Sequence, residues 1–145
     1  MYIDAQLLFS DAQAVTADAA STNYIDLGVT GRGLFEGEPM AVVLQIDVAA
    51  DGTTTDETYE FQLETDDDSA FGSPTDLVAH SIGYAALTAG SLHVLPVPTL
   101  ATFERYVRVY YNVGGTSPSV TVTAFLQPLS MVQKFKAYAD SIVIS

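Results

Sequence analysis

Residues Glu104–Gln127 read ERYVRVYYNVGGTSPSVTVTAFLQ, and this stretch decides the fold class. In its first half valines alternate with larger polar and aromatic residues, and in its second half apolar residues alternate with threonine and phenylalanine. Period-2 alternation of β-branched and aromatic residues predicts two strands. Gly114-Gly115 and Ser117-Pro118 predict a turn between them, so we interpret the stretch as a β-hairpin. One apolar face of such a hairpin must be covered by the rest of the chain.

The first strand of this stretch presents two faces of different chemistry. One face is apolar and consists of Val107, Val109, Tyr111 and Val113. The opposite face carries Tyr106, Arg108 and Tyr110. Tyrosine and arginine are enriched at the centres of protein interfaces, so we predict that these three side chains lie at a subunit interface. The alternative is that the two tyrosines cover the core of their own domain.

The rest of the chain predicts further strands and no long helix. Apolar and polar residues alternate in 40–49 and 57–65, and shorter strand candidates lie in 21–28, 76–82 and 91–97. Pro96 and Pro98 favour an edge position for the last of these. With seven strand candidates and turns rich in Gly, Pro, Ser and Thr, the sequence predicts an all-β fold, a jelly-roll-like antiparallel β-sandwich with extended terminal segments.

Length, composition and charge narrow the function classes. The chain has 145 residues, a length typical of one domain, and no cysteine, so disulfides, thiol nucleophiles and thiolate metal sites are excluded. Its net charge is −13, with 16 acidic residues and only Arg32 as a basic one in residues 1–76. An acidic protein repels phosphates and anionic lipids, so neither nucleic acid nor a membrane is an expected partner. The long stretches without charged residues are interrupted by Gly and Pro, so no membrane-spanning helix is expected. A signal peptide is not expected either, because the chain lacks a basic start followed by an apolar segment.

The two ends of the chain are predicted to lie outside the sandwich. We divide the chain into an N-terminal arm, residues 1–20, a β-sandwich domain, residues 21–128, and a C-terminal tail, residues 129–145, that packs on the domain or on a neighbour. The apolar side chains of both ends are the predicted contacts to a partner: Tyr2, Ile3, Leu7, Leu8, Phe9, Phe135, Tyr138, Ile142, Val143 and Ile144. The alternative for residues 7–9 is a simple edge strand.

No pattern of catalytic or metal-binding residues is present. Asp66–Asp68 is the one acidic run that could attract a cation, but it lacks the spacing of a calcium loop, and Asp68 or Ser69 is expected instead to cap a single helical turn. His80 and His93 lack the partners of a zinc site and are expected to be half-buried strand residues. We therefore predict no enzymatic activity, no cofactor and no metal. The alternative function is a carbohydrate-binding β-sandwich module of a virion or secreted protein, because the chain is rich in carboxylates and its tyrosines could stack on sugars.

Several stretches together resemble the capsid cement, or decoration, proteins of tailed bacteriophages. They are YIDAQLLFSDAQAVT with STNYIDLG, then GEPMAVVLQIDV, LETDDDSAFGSPTDL, and ERYVRVYYNVGG with VTVTAFL, in this order over residues 2–127. The resemblance implies a jelly-roll virion protein on the outer surface of the capsid that stabilises contacts between major capsid subunits. It also implies a homotrimer, whose partners would be the major capsid protein and itself, and no catalytic residues.

Overall fold

A computed structural model describes residues 7–28, 40–97 and 103–128, which form two packed antiparallel sheets. The 3₁₀ turn Tyr84–Ala86 joins two of the strands, and the described part contains no helix long and apolar enough to cross a membrane. In chain order the strands are β1 (Leu8–Val15), β2 (Ala19–Ala20), β3 (Ile25–Asp26), β4 (Met40–Val48), β5 (Thr58–Asp66), β6 (Thr75–Ser81), β7 (Leu92–Pro96), β8 (Tyr106–Gly114) and β9 (Val120–Pro128).

The order of the strands is that of a jelly roll. One sheet has the order β1-β9-β4-β7, and the other has the order β2-β8-β5-β6, with β3 pairing beside β2 on β8. The chain changes sheet at six of the eight connections between these strands, so most paired strands are distant in sequence. Among these strands, only β5 and β6 are consecutive in the chain and paired. Two layers connected in this way, here of four and five strands, are the double Greek key of jelly rolls. The predicted all-β sandwich is confirmed, and β7 is an edge strand as its prolines indicated.

The core lies between the sheets and is built by the predicted alternation. The inward positions are fully or nearly fully buried along each long strand: Val42, Leu44 and Ile46 of β4, Tyr59, Phe61 and Leu63 of β5, Val107, Val109 and Tyr111 of β8, and Val120, Val122, Ala124 and Leu126 of β9. These side chains form one continuous apolar cluster. The faces assigned from period 2 are therefore correct at these positions. Val48, predicted on the same face as Ile46, is 56% exposed because a bulge between Ile46 and Val48 interrupts the alternation.

The hairpin interpretation of residues 104–127 is wrong, although both of its strands exist. β8 pairs with β5, whereas β9 pairs with β1 and β4 in the other sheet. Their connection is held by a neighbouring loop, because the Thr116 N–H donates to Asp56 Oδ1 at 3.1 Å and the Ser119 N–H donates to the Tyr59 hydroxyl at 3.0 Å. Gly115 has φ +93°, and a Cβ there would lie 2.4 Å from the carbonyl oxygen of Asp56. This close approach requires glycine and directs the chain across the sandwich.

The N-terminal arm predicted for residues 1–20 needs correction in its described part. Residues 8–15 are strand β1, which pairs with β9 at the edge of its sheet, and Phe9 and Val15 are fully buried in the core. The Ser10 hydroxyl also lies 2.7 Å from the buried hydroxyl of Tyr111. Two irregularities in the β1–β9 register interrupt the period-2 pattern, and Ala12 has φ +47°. These bulges explain why the segment does not resemble a strand in sequence.

A carboxylate network closes the end of the sandwich where β8 ends and β9 begins. Asp56 accepts hydrogen bonds from the Thr54 hydroxyl and from the N–H and hydroxyl of Thr116, and these bonds hold its pKa below the usual value. The pKa of Asp51 is lowered in the same way by the hydroxyl and N–H of Thr53. Asp56 is exposed and Asp51 is half-buried, and both carboxylates fix loops by accepting hydrogen bonds from backbone N–H groups.

We expect acid to destabilise the fold through this network. A carboxyl whose folded pKa lies below its unfolded value of 3.8 contributes stability that is complete above that value and is lost as the pH falls through the lower folded pKa. Melting temperature should therefore stay nearly constant from pH 7 to about pH 5 and fall below about pH 4. Asp56→Asn should lose less stability than the parent between pH 5 and pH 2, and identical pH profiles would contradict the role of Asp56.

Candidate interaction surface

The outward face of β5 and β8 carries the three residues predicted at an interface. Tyr106, Arg108 and Tyr110 lie opposite Asp66, Glu64 and Gln62 in register. All three are half-buried, and none belongs to the core cluster between the sheets, which takes the alternate positions of β8. They share one face, as period 2 requires. Tyr106 and Tyr110 do not belong to the core between the sheets, so the alternative that they cover it is wrong. Their role at a subunit interface stays a prediction.

Two aromatic rings from other segments complete this face. The Tyr24 ring packs edge-on against Tyr106 with ring centroids 5.4 Å apart, and against Phe71 at 6.2 Å. Tyr24 precedes β3, whose Ile25 lies opposite Val107, so this pairing carries Tyr24 onto the face of β8. Edge-to-face packing of aromatic rings stabilises such a cluster beyond area burial alone. We call Tyr24, Phe71, Tyr106, Arg108 and Tyr110 the aromatic–arginine face.

Arg108 is the centre of this face and is already held by its own domain. Its guanidinium lies 4.1 Å from the Phe71 ring centroid and 5.7 Å from that of Tyr110. Arg108 Nε also forms an ion pair with Glu64, whose side chain is 5% exposed. The guanidinium of Arg108 thus contacts the Phe71 ring, the Tyr110 ring and the Glu64 carboxylate, and these contacts fix the positions of all three side chains. The tyrosines, more than Arg108, are therefore the groups that this face offers to a partner.

A second arginine fixes the margin of the face. Arg105 donates to both carboxylate oxygens of Asp26, from Nε at 2.9 Å and from Nη2 at 3.1 Å, and its guanidinium lies 5.1 Å from the Tyr106 ring centroid. The hydrogen bond from Arg105 is the main reason that the pKa of Asp26 is lowered. This pair joins the short strand β3 to the start of β8 and so helps to hold Tyr24 in place.

Polar side chains border the opposite side of the face. Glu60 Oε1 accepts from the amide nitrogens of Gln62 at 2.5 Å and Asn112 at 3.4 Å. These three residues lie on β5 and β8 beside Tyr110, on the same outward surface. A half-exposed aromatic cluster bordered by amides and a carboxylate is the composition of a protein contact surface, and also of some sugar-binding surfaces.

One group of three carboxylates in the described part could hold a metal ion: Asp66, Asp67 and Glu104. Asp66 is buried, with Oδ1 accepting from the Asp68 N–H at 3.1 Å and Oδ2 from the Ser73 N–H at 2.8 Å. Burial raises the pKa of Asp66, but these hydrogen bonds outweigh burial and hold its pKa below the usual value. Both of its oxygens are thus used to shape residues 66–74, the loop that presents Phe71.

The acidic run differs in two ways from what the sequence predicts. Asp68 Oδ1 accepts from the Ala70 N–H at 3.0 Å, but the segment is a hydrogen-bonded turn and no helical turn is formed. Asp66 is buried, whereas Asp67 and Asp68 are exposed. The group found in space contains Glu104 in place of Asp68, a combination that only the pairing of Asp66 with Tyr106 brings together.

The two histidines lie at the β6 and β7 edges. His93 is half-buried, with Nε2 3.1 Å from the carbonyl oxygen of Ala86 and 3.1 Å from the Ser91 hydroxyl. Burial is the main cause that lowers its pKa. His80 is exposed on β6. In residues 7–28, 40–97 and 103–128 neither histidine belongs to a group that could hold a metal ion.

The predicted terminal contacts divide into described and undescribed residues. Leu7 packs partly buried against the core, Leu8 lies in a small cluster on the outside of its sheet, and Phe9 is fully buried in the core. Phe9 is therefore withdrawn as a partner contact, because a buried core side chain cannot reach another protein. The other predicted contacts lie outside the described residues: Tyr2, Ile3, Phe135, Tyr138, Ile142, Val143 and Ile144.

The Bbp16 family model matches residues 9–126, which run from the second residue of β1 to near the end of β9. The chain belongs to the Bbp16 family. This family is phage-related. The match includes every residue of the aromatic–arginine face of this Bbp16-family chain.

Other comparisons add little to this membership. No curated protein matches the Bbp16-family chain. Among solved structures it is similar to PirA, with 11% sequence identity and a TM-score of 0.44 over 81% of this chain and 95% of the other. A likeness this low carries no argument about function.

Proposed function

We propose that this Bbp16-family protein is a virion structural protein that binds the outside of a phage head and stabilises contacts between major capsid subunits. The observation that carries the proposal is the match of residues 9–126 to a phage-related family. The order of sequence stretches that resemble cement proteins supports the same role. In this proposal the protein is not an enzyme and needs no cofactor.

The aromatic–arginine face is the surface we assign to protein contacts. Tyr24 is 49% exposed, Tyr106 and Tyr110 are half-buried, and all are held by neighbours that fix their orientation. A rigid aromatic side chain loses little conformational entropy when a partner covers it, so tyrosines of this kind often dominate binding energy. The jelly-roll body behind them can transmit load between the subunits that it joins.

The partners in this proposal are the major capsid protein and two further copies of the chain. Three linked copies bind with an effective concentration that turns weak single contacts into stable attachment. Acidic residues, concentrated in residues 1–76, would keep decorated particles soluble and apart. A clean monomer in light scattering at micromolar concentration would remove the homotrimer from the proposal while leaving head binding open.

Head binding is the direct test. The purified protein should co-sediment with phage heads prepared without it, and Tyr24→Ser combined with Tyr106→Ser should weaken this binding at least about tenfold, as expected for central interface tyrosines. Val48→Ser is the matched control, since Val48 is 56% exposed but lies on the other sheet. If the parent protein does not co-sediment with heads, the proposed function is wrong. If the double variant binds heads as tightly as the parent, the contact lies on another surface.

A carbohydrate-binding module is the second candidate, favoured by one observation. The exposed Tyr24 ring and the Glu60, Gln62 and Asn112 side chains share one outward surface. Sugars bind by stacking on aromatic rings and by hydrogen bonds to amides and carboxylates. A thermal-shift screen with a glycan panel separates the two candidates: a rise of several degrees with one sugar supports this module, and no shift with any sugar removes it.

A further inference from the structure

A second apolar cluster lies on the outside of the β1-β9-β4-β7 sheet, away from the core. It consists of Leu8, Val43, Val94 and Phe125. They form a row across all four strands, because Phe125 lies opposite both Leu8 and Val43, and Val43 lies opposite Val94. Their chain neighbours Val42, Ala124 and Leu126 belong to the core between the sheets. The row therefore points to the side of the sheet that the sandwich partner does not cover.

The centre of this row is nevertheless fully buried. Phe125 is 0% exposed and Val43 is 1% exposed. In the described part of the chain, the partly buried apolar residues that pack against them are Leu8 and Val94, which lie beside them in the same sheet. Lateral neighbours cannot remove a ring on a flat sheet face from water, so a further part of the protein must lie above the row.

Burial along this face increases toward one end of the sheet. Val48 is 56% exposed at one end, whereas Ala41 and Gln127, which lie opposite each other near the other end, are buried. The buried end is where β9 ends at Pro128. The cover therefore lies over the half of the face from which the C-terminal tail departs.

We propose that residues 129–145 fold back over this face and bury Phe125 and Val43. They start four residues after Phe125, directly beyond the end of β9, and their 17 residues could span roughly 55 Å when extended. The distance from β9 across β4 to β7 is only about 10 Å. The segment also supplies apolar side chains to match the row: Met131, Val132, Phe135, Tyr138, Ile142, Val143 and Ile144.

Charge also favours this occupant. Residues 129–145 carry Lys134 and Lys136 against one acid, Asp140, whereas the rest of the chain holds the other 17 acidic residues and only three basic ones. A weakly basic tail is attracted to a strongly acidic body. The competing occupant is residues 1–6, which precede the edge strand β1 but carry only Met1, Tyr2 and Ile3 as large apolar side chains. Residues 29–39 and 98–102 are weaker candidates for the cover, because each segment connects a strand of one sheet to a strand of the other and is therefore fixed at both ends.

The inference is independent of the proposed role at the phage head. It assigns the tail to its own domain, which leaves the aromatic–arginine face and residues 1–6 as the candidate contacts to other proteins. The apolar side chains of the tail, predicted from sequence to contact a capsid or a neighbour, act here as a cover for the sheet.

A cysteine reporter tests the inference cleanly, because the chain has no cysteine of its own. Val43→Cys should react with a maleimide at least about tenfold faster when residues 129–145 are deleted than in the full chain, because reaction requires access of the reagent to the thiol. Deletion of residues 1–6 should leave the rate unchanged. Val42→Cys is the matched control, since Val42 is its core-facing neighbour and should stay slow in every folded variant.

Each other result overturns the inference. If the maleimide reaction of Val43→Cys is equally fast with and without residues 129–145, the tail is not the cover. If the reaction accelerates only on deletion of residues 1–6, the N-terminus covers the face. If the rate in the full chain rises on dilution, a second copy of the chain covers it. If the truncated protein unfolds, Val42→Cys will react rapidly too. A benzophenone attached at Val94→Cys in the full chain then decides: crosslinks to residues 129–145 support the inference, and crosslinks that lie elsewhere overturn it.

Discussion

Replacing Phe9 with alanine should lower the free energy of unfolding by about 3–5 kcal/mol, the usual cost of removing a fully buried aromatic ring. Phe9 is 0% exposed and belongs to the core cluster with Tyr111 and Val122. Its strand is an edge strand in which two bulges have replaced regular pairing. Its attachment to β9 therefore depends on side-chain burial more than on a regular hydrogen-bond ladder, and the missing ring should be costly. Urea unfolding followed by circular dichroism measures the loss.

The matched control is Asp11→Ala, two residues along the same strand with an exposed side chain, which should change stability by less than about 0.5 kcal/mol. A loss below about 1 kcal/mol for Phe9→Ala would mean that β1 is not part of the core and would restore the arm interpretation of residues 1–20. The result also decides how head binding by the N-terminus can be tested. A truncation that removes Phe9 would unfold the domain, so only residues 1–6 can be deleted as an arm.

The difference between β1 and the other strands shows what sequence periodicity can predict. Strands β5, β8 and β9 keep the alternation of their inward positions, and β4 keeps it as far as Ile46, beyond which a bulge displaces Val48 from the core face. The inward faces were predicted correctly apart from Val48. Strand β1 contains bulges between Leu8 and Gln13, where the Thr123 hydroxyl accepts from the Ala12 N–H. A bulge shifts the side-chain period by one residue, which hides the strand from any test based on alternation.

Strand partners were beyond the reach of the same argument. Two adjacent strands with a Gly-Gly turn predict a hairpin, yet the strands lie in opposite sheets because Asp56 and Tyr59, about sixty positions earlier in the chain, bind the connection between them. A sequence shows local turn chemistry, but it does not show which distant carboxylate will satisfy the backbone N–H groups of that turn.

The candidate surface was predicted in part for the same reason. Alternation placed Tyr106, Arg108 and Tyr110 on one face, but it could not show that β5 would bring Glu64 opposite Arg108 or that Tyr24 and Phe71 would come from other segments. The role of Arg108 changes with these neighbours. The sequence predicts an interface residue, whereas in the structure the half-buried Arg108 side chain connects Glu64, Phe71 and Tyr110 within the domain.

Replacing Arg108 with methionine should therefore destabilise the protein itself by about 3 kcal/mol, the lower end of the cost of breaking a buried ion pair. The side chain of Glu64 is 5% exposed and that of Arg108 is 19% exposed, so the variant leaves a carboxylate without its countercharge in a nearly dry position. The rings of Phe71 and Tyr110 also lose the cation between them. The lower end applies because Arg108 keeps some contact with water.

A double-mutant cycle separates the pair from the packing. Glu64→Gln combined with Arg108→Met should recover most of the stability lost in Arg108→Met, since the second change removes the unpaired charge. Arg105→Met is the matched control: its partner Asp26 is 42% exposed, so loss of this solvent-screened pair should change the free energy of unfolding far less than Arg108→Met does. If Arg108→Met unfolds at the same urea concentration as the parent but no longer binds heads, Arg108 acts at the interface after all, and the internal role that its geometry indicates is wrong.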